Sequence, residues 1–298
     1  MSYTFWEIHI EERGRGVVSA DLHCHSRFSD GAMEIPQLLK LARQAGLDHL
    51  AITDHETFHG YDYAAELAAG YGLKIIKGIE LSARDPANGR SVHVLCYLPR
   101  DTAEIEALCE RTRRARMKAG FVMARRLCAL YPQLTLEEIF ARSYDSECLY
   151  KPHMMQALQQ KGVAEDARYG GPLFHQLFDP GTGSCFEPID YPSVYEVLEI
   201  ARRSGGWVVL AHPSVYRSME LAEALCREGT VDGLEIDHPR NTEADKARLR
   251  QLAAEYGLLV TGGTDFHGHA PQKDNPLGTG NTAGDQLEII LKGKKERL

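Results

Sequence analysis

The stretch SADLHCHSRFSDG, residues 19 to 31, sets His23 and His25 one residue apart at the end of a short apolar run, with Asp30 five residues beyond. Alternate residues of a strand point the same way, so the two imidazoles aim at one point while Cys24 faces the opposite side. Two imidazoles so placed begin a metal site, and the chain supplies further ligands in the same setting. In AITDH, Asp54 and His55 follow an apolar run, where Asp54 also suits the cap of a following helix. Glu80 follows KIIKGI, where an unpaired carboxylate is costly. One metal, or two sharing the carboxylate, removes that cost. His93 alternates with Val92 and Val94, His212 ends VVLAHP, and TDFHG carries Asp265 and His267 two apart and in phase. Imidazole with carboxylate suits divalent Zn, Mn or Fe. Six histidines with three or four carboxylates exceed what one ion needs, which implies two or three ions with Glu80 as a bridge. Two ions about 3.5 to 4 Å apart bind a shared hydroxide and clamp an in-line displacement at phosphorus.

These residues need elements that carry them to one place. GVVSADLHCH, LDHLAITDH (47–55), LKIIKGIELSA (73–83), SVHVLCYLP (91–99), GWVVLAHPS (206–214), VDGLEIDHP and LLVTGGTDFHG read as strands. IPQLLKLARQAG, YDYAAELAAGYG, PSVYEVLEIARRSG and EADKARLRQLAAEYG read as helices. The alternation predicts a parallel α/β sheet or barrel. Such folds build their sites at the carboxyl ends of strands. The clusters His23/His25, Asp54/His55, Glu80, His212, Glu235/Asp237 and Asp265/His267 all fall there. From about residue 101 to 190 the rhythm changes to arginine-rich helices, among them AEIEALCERTRRARMKAGFVMARRLCALYP, LTLEEIFARS and KPHMMQALQQKG. The expected organisation is a barrel from residues 1–100 and 190–298, with a helical cap at 101–189. Residues 1 to 16 read as a polar extension that adds a strand or an interface.

The chain has 298 residues, 43% hydrophobic and 26% charged, with a formal net charge of −8. That acidity argues against a broad surface that coats nucleic acid. Seven cysteines occur without a CxxC pair, so reduced thiols are expected rather than a disulfide scaffold. No apolar leader or run of about 18 apolar residues occurs, which predicts no membrane span and a cytoplasmic location. The oligomeric state is not legible.

In order and context, DLHCHSRFSDG, AITDH, GIELS, VHVLCY, KPHMMQAL, AHP and TDFHG resemble the polymerase-and-histidinol-phosphatase (PHP) family, in its stand-alone metal-dependent phosphoesterase branch. The likeness runs from about residue 19 to 270. It implies a distorted (β/α)7 barrel related to amidohydrolases, with a helical insertion and a trinuclear centre. Carried over by residue, it implies one metal on His23, His25, Glu80 and Asp265. A second would share Glu80 and add His93 and His212. A third would use Asp30, His55 and His267. Asp265, His267 and Glu80 then count as catalytic, and a hydroxide bridging the first two metals attacks phosphorus. The third metal binds a phosphate oxygen and steadies the leaving group.

The insertion supplies positive charge. Arg113 and Arg116, three apart, are neighbours on a helix. A guanidinium fork matches phosphate oxygens, so Arg116 is expected to clamp a second phosphate. YKPHMMQAL resembles a family motif that usually begins with arginine. Lys151 stands there instead, and Lys151 and His153 read as substrate contacts. Tyr216, Arg217, His238 and Arg240 follow site-bearing strands and line the pocket. The expected substrates are small phosphorylated nucleotides or sugars, of the nucleoside 3′,5′-bisphosphate or cyclic phosphate type. A short oligonucleotide attacked from its 5′ end, histidinol phosphate, a C–N substrate and a non-catalytic scaffold are the alternatives.

Overall fold

Short apolar runs fold here into one seven-stranded sheet whose strands lie side by side in chain order. The computed structural model describes residues 19–162, 170–269 and 275–294, and the polar N-terminal extension lies outside the described residues. The strands are β1 (Ala20–Cys24), β2 (His49–Ile52), β3 (Lys74–Arg84), β4 (Ser91–Tyr97), β5 (Trp207–Leu210), β6 (Gly233–Asp237) and β7 (Leu259–Gly262). The sheet curls until its two edges meet. Cys24 bridges Phe266, the His25 amide donates to the Phe266 carbonyl at 2.8 Å, and the Asp265 amide donates to the His23 carbonyl at 2.8 Å.

The sheet is mixed rather than wholly parallel. β4 runs antiparallel to both β3 and β5, while the other neighbours are parallel. The reason is chain length. Only residues 85–90 separate β3 from β4, and a parallel crossover needs a dozen residues or more. The chain must turn straight back, so β4 begins at the rim where its neighbours end. That places His93, its third residue, opposite Ser82 near the end of β3.

Ala20, Leu22, Ala51, Ile76, Leu95, Tyr97, Val209, Ala211 and Leu259 fill the barrel as an apolar plug. Cys24 packs instead in an outer cluster with Leu38, Leu50 and Ile52. A register shift between Asp21 and Cys24 accounts for the change of side. Leu22 thus lies in the plug while Cys24 faces outward, and His23 and His25 are left for the space above.

Outside the sheet, α1 (Ile35–Gln44) buries Ile35, Leu38, Leu39 and Ala42, one helical stripe. α2 (His59–Tyr71) follows β2. Among the described residues, the chain between β4 and β5 is mostly helical. It comprises α3 (Ala103–Leu130), α4 (Leu136–Phe140), a short 3-10 turn at Ala141–Ser143, α5 (Lys151–Gln160) and α6 (Pro172–Phe178), then α7 (Val194–Arg203). A capping box between Thr135 and Glu138 starts α4. This region holds its own hydrophobic cluster around Met123, Leu127, Leu149, Met155, Leu158 and Phe178. Ile105, Leu108 and Cys109, at the start of α3, pack instead with Ile79, Val94 and Val197 of the barrel side. Packing therefore divides α3 along its length rather than at its first residue. α8 (Met219–Glu228), α9 (Glu243–Tyr256) and α10 (Gly284–Leu291) complete the outer layer.

Candidate metal centre

Nine side chains expected to hold metal come together at one end of the barrel: His23, His25, Asp30, His55, Glu80, His93, His212, Asp265 and His267. Glu80 stands at their middle. Its Oε1 lies 2.8 Å from His93 Nδ1 and 2.9 Å from His212 Nε2. Its Oε2 lies 3.2 Å from each of His23 Nε2, His25 Nε2 and His55 Nδ1. Asp265 Oδ1 lies 3.2 Å from His25 Nε2 and 3.5 Å from His23 Nε2. Asp30 Oδ1 lies 3.2 Å from His267 Nε2 and 3.7 Å from His25 Nδ1, and its Oδ2 is 3.9 Å from His55 Nε2.

Whether these residues fit metal ions is decided by their hydrogen bonding. His23 Nε2, His25 Nε2, His55 Nδ1 and Glu80 Oε2 are buried and have no hydrogen-bond partner. Four buried polar atoms left unmatched against one another would cost several kcal/mol if nothing else faced them. They converge on a shared space, which is the arrangement a cation satisfies. His23, His25, Glu80 and Asp265 have ligand atoms within 4.8 Å of one another, and so do His25, Asp30, His55 and His267. The donor set fits divalent ions.

The surroundings fix which nitrogens face that space. Glu235 Oε1 lies 2.9 Å from His23 Nδ1, and its Oε2 accepts from the His212 amide at 3.0 Å. With the His23 proton on Nδ1, the Nε2 lone pair is left for the centre. His267 Nδ1 lies 2.8 Å from the Asp265 carbonyl, which leaves Nε2 toward Asp30. Arg240 Nη2 donates to Asp265 Oδ2 at 2.6 Å. Asp54 neither caps α2, which begins after Phe58, nor joins a ligand group. It accepts from Ser26 N, Ser26 Oγ and Ser29 Oγ at 2.6–2.7 Å and so pins the loop that carries Asp30.

Charge follows the same logic. Burial pushes the Glu80, Asp265 and Asp30 carboxyls up, but the facing imidazoles, His93 for the first and His267 for the other two, hold all three well below the usual carboxylate range. Burial lowers His55 and His212 to about 4 even with Glu80 alongside. Burial opposes charge on His23 and His25 as well, but the Glu235 carboxylate raises the first well above its usual range, and Asp265 and Glu80 raise the second to about 10. Metal ligation takes ionised carboxylates and neutral imidazoles, so ion binding displaces those two protons.

Tight turns bring the strand ends inward. His212, Asp265 and Glu56 take positive φ values of 26°, 52° and 54°, a conformation disfavoured for residues other than glycine and concentrated at functional sites. Two glycines permit close approach. A Cβ on Gly31 would meet the His25 carbonyl oxygen at 2.5 Å, and one on Gly263 would meet the His23 Cβ at 2.4 Å.

The expected substrate contacts have other surroundings. Arg116, read from the sequence as a phosphate clamp, is 7% exposed. It donates to Glu56 Oε2 at 2.7 Å and Ser82 Oγ at 2.9 Å and lies over the Tyr150 and Tyr191 rings. Arg113 donates to the Glu56 carbonyl and pairs with Glu110 and Glu147. Both guanidiniums tie α3 to the segment after His55. His153 is buried, and its Nδ1 accepts from the Tyr150 amide. His238 is fully buried beside the centre, with Nδ1 accepting from the Arg240 amide and Nε2 3.5 Å from Asp265 Oδ2. Lys151 donates to the Phe178 carbonyl and lies over the Phe174 and Phe186 rings. Arg217 is exposed with a φ of 54°. Tyr216 Oη lies 3.4 Å from His93 Nε2.

The ligand list read from the sequence left out Glu235. Its signal was a carboxylate inside the apolar run GLEID, the same signal that marked Glu80. Tyr150, whose hydroxyl donates to the His55 carbonyl at 3.1 Å, had no signal in pattern or spacing.

Comparison with known proteins gives matches along most of the chain. The PHP domain matches residues 21–165. A phosphoribosyl 1,2-cyclic phosphate 1,2-diphosphodiesterase of Eggerthella lenta is 37% identical over 249 residues, covering 83% of this chain and 94% of that protein. A 3′,5′-nucleoside bisphosphate phosphatase of Chromobacterium violaceum is 25% identical over 84% of this chain and 88% of its own. A solved structure described as a metal-dependent phosphoesterase from Bifidobacterium adolescentis superposes with a TM-score of 0.80 at 32% identity, covering 93% of this chain and 97% of that one.

Proposed function

This chain belongs to the PHP domain family and is a metal-dependent phosphoesterase, and from that premise we propose that its substrates are small sugars or nucleosides bearing two phosphate groups. The observation that carries the reading is the convergence of His23 Nε2, His25 Nε2, His55 Nδ1 and Glu80 Oε2, buried and without hydrogen bonds, on one space. The relatives add the substrate class, since one is named for a phosphoribosyl cyclic phosphate and another for a nucleoside bisphosphate.

Two or three divalent ions, manganese, zinc or iron, would occupy the centre. His23, His25, Glu80 and Asp265 would hold one; Glu80, His93 and His212 a second; Asp30, His55 and His267, with His25 alongside, a third. Divalent cations there lower the pKa of water and neutralise charge developing at phosphorus. The chain's own residues do the positioning. Glu80 divides its two oxygens between the His93/His212 side and the His23/His25/His55 side. Glu235 keeps the His23 proton on Nδ1. Arg240 occupies one Asp265 oxygen and leaves Oδ1 facing His25 and His23. His238 accepts from the Arg240 amide at Nδ1, so in its neutral form it carries its proton on Nε2, facing Asp265. The helical region from 101 to 189 acts as a cap that shelters the centre from bulk water, with Tyr150 joining it to the His55 backbone.

The test is elemental analysis of the purified protein together with phosphate release from a panel. The panel contains a phosphoribosyl cyclic phosphate, nucleoside 3′,5′-bisphosphates and the matching monophosphates. Bound transition metal and a higher kcat/KM for the two-phosphate compounds are expected. Metal-loaded protein that prefers the monophosphates would overturn the substrate class.

A further inference from the structure

Arg116 Nε, like Arg142 Nε, is buried without a hydrogen bond, but Arg113 and Arg116 are neutralised by Glu56, Glu110 and Glu147, so a second phosphate is better met by a cation that no acid balances. One lies between barrel and cap. A cleft of about 280 Å³ is lined by Arg27, Gly31 and Ala32 from the loop after β1 and by Ala141, Arg142 and Gln156 from the helical region. Gly31 and Ala32 directly follow Asp30, so the cleft adjoins the His25/Asp30/His55/His267 group. Gln156 is tied to the same loop, since its Nε2 lies 3.2 Å from His269 Nδ1 and His269 Nε2 lies 2.7 Å from the Asp30 carbonyl.

The charge in the cleft is unbalanced. Arg27 is matched by two acids, Glu34 and Asp145. Arg142 pairs with no acid among the described residues, and its Nε is buried without a hydrogen-bond partner. A buried guanidinium N–H with nothing to bond carries a desolvation penalty, and an anionic oxygen removes it with a strong, charge-assisted bond. The geometry points to an anion subsite, and we propose that it receives the phosphate that is not hydrolysed, with Arg142 as its principal contact. This rests on the two-phosphate reading above and assigns that reading's second phosphate a place.

The experiment compares wild type with Arg142→Ala and Arg142→Lys, with circular dichroism confirming the fold. KM for a nucleoside 3′,5′-bisphosphate is expected to rise about tenfold more than KM for p-nitrophenyl phosphate in Arg142→Ala, with partial recovery in Arg142→Lys. Equal changes for the two substrates, or none, would overturn the subsite. A second arm titrates metal-free, full-length protein with inorganic phosphate and with ribose 5-phosphate by calorimetry. Binding weakened about tenfold or more in Arg142→Ala supports the cleft even if no phosphoester is hydrolysed, in which case only the substrate reading fails. Undiminished binding refutes the cleft whatever the enzyme hydrolyses. Ribose 5-phosphate bound more tightly than inorganic phosphate identifies a substrate phosphate as the occupant. The reverse order refutes that occupant and leaves a site for free anion.

Discussion

Glu80 faces five imidazole nitrogens with two oxygens. Replacing one oxygen by an amide, Glu80→Gln, removes the negative charge and one of the two oxygens that the centre shares. Phosphate release is expected to fall by about a thousandfold or more at unchanged far-UV circular dichroism, a scale in keeping with the loss of electrostatic stabilisation at a reacting centre. His23→Ala and Asp265→Ala are expected to abolish phosphate release while the fold survives. Phosphate release at the wild-type rate from either purified variant would remove the centre from the chemistry. Glu235→Gln acts through His23, so metal affinity measured by equilibrium dialysis is expected to drop about 10- to 100-fold. Most of the candidate ligands are legible in the sequence because they interrupt or end apolar runs, where a lone polar group would be anomalous, whereas Asp30, in the polar loop after β1, is given only by the family resemblance. Glu235 carries the same mark, but its partner is a histidine ring more than two hundred residues away in the chain, and no spacing shows that pairing.

At the scale of elements, strand alternation predicts the barrel, and the short 85–90 connection already contains the antiparallel turn that alternation alone misses. The partners of Arg116 were not legible, because a helix face names a neighbour only after the sheet it packs on is known. Arg116 stands between Glu56 and two tyrosine rings, joining α3 to the segment that follows His55. Arg116→Met leaves the Glu56 carboxylate buried without its cation, and a loss of about 3–5 kcal/mol in denaturant midpoint analysis is expected. The double variant Glu56→Gln/Arg116→Met is expected to recover much of that loss, since neither charge then remains stranded. Gly263→Ala places a methyl group against His23, and a cost of about 1–3 kcal/mol is expected from the forced shift.

For the molecule as a whole, stability and ion binding are coupled. The centre draws on β1, β3, β4 and the segments after β2, β5 and β7, and unfolding scatters them. Saturating manganese or zinc is expected to raise the melting temperature, by about 2.7 kcal/mol of stabilisation at a hundredfold excess over Kd, and a chelator to reverse it. Lys151 gives a separate pH signature. Burial lowers its ammonium from 10.5 to about 8, with Arg116 adding to the shift. Below pH 8 the side chain is charged in both folded and unfolded chains, and the folded state carries the desolvation cost. Between about 8 and 10.5 only the unfolded chain keeps the proton, so this group makes stability rise with pH. Lys151→Met is expected to flatten that rise in thermal melts. Among the described residues no helix is long and apolar enough to cross a membrane. One feature ties the whole together mechanically. The 28 residues of α3 form an unbroken rod of about 42 Å, rooted in one hydrophobic cluster and ending in another. A stiff lever of that kind gears the cap to the barrel, so calorimetry should record a single cooperative endotherm, and cutting the rod at its midpoint should split it into two.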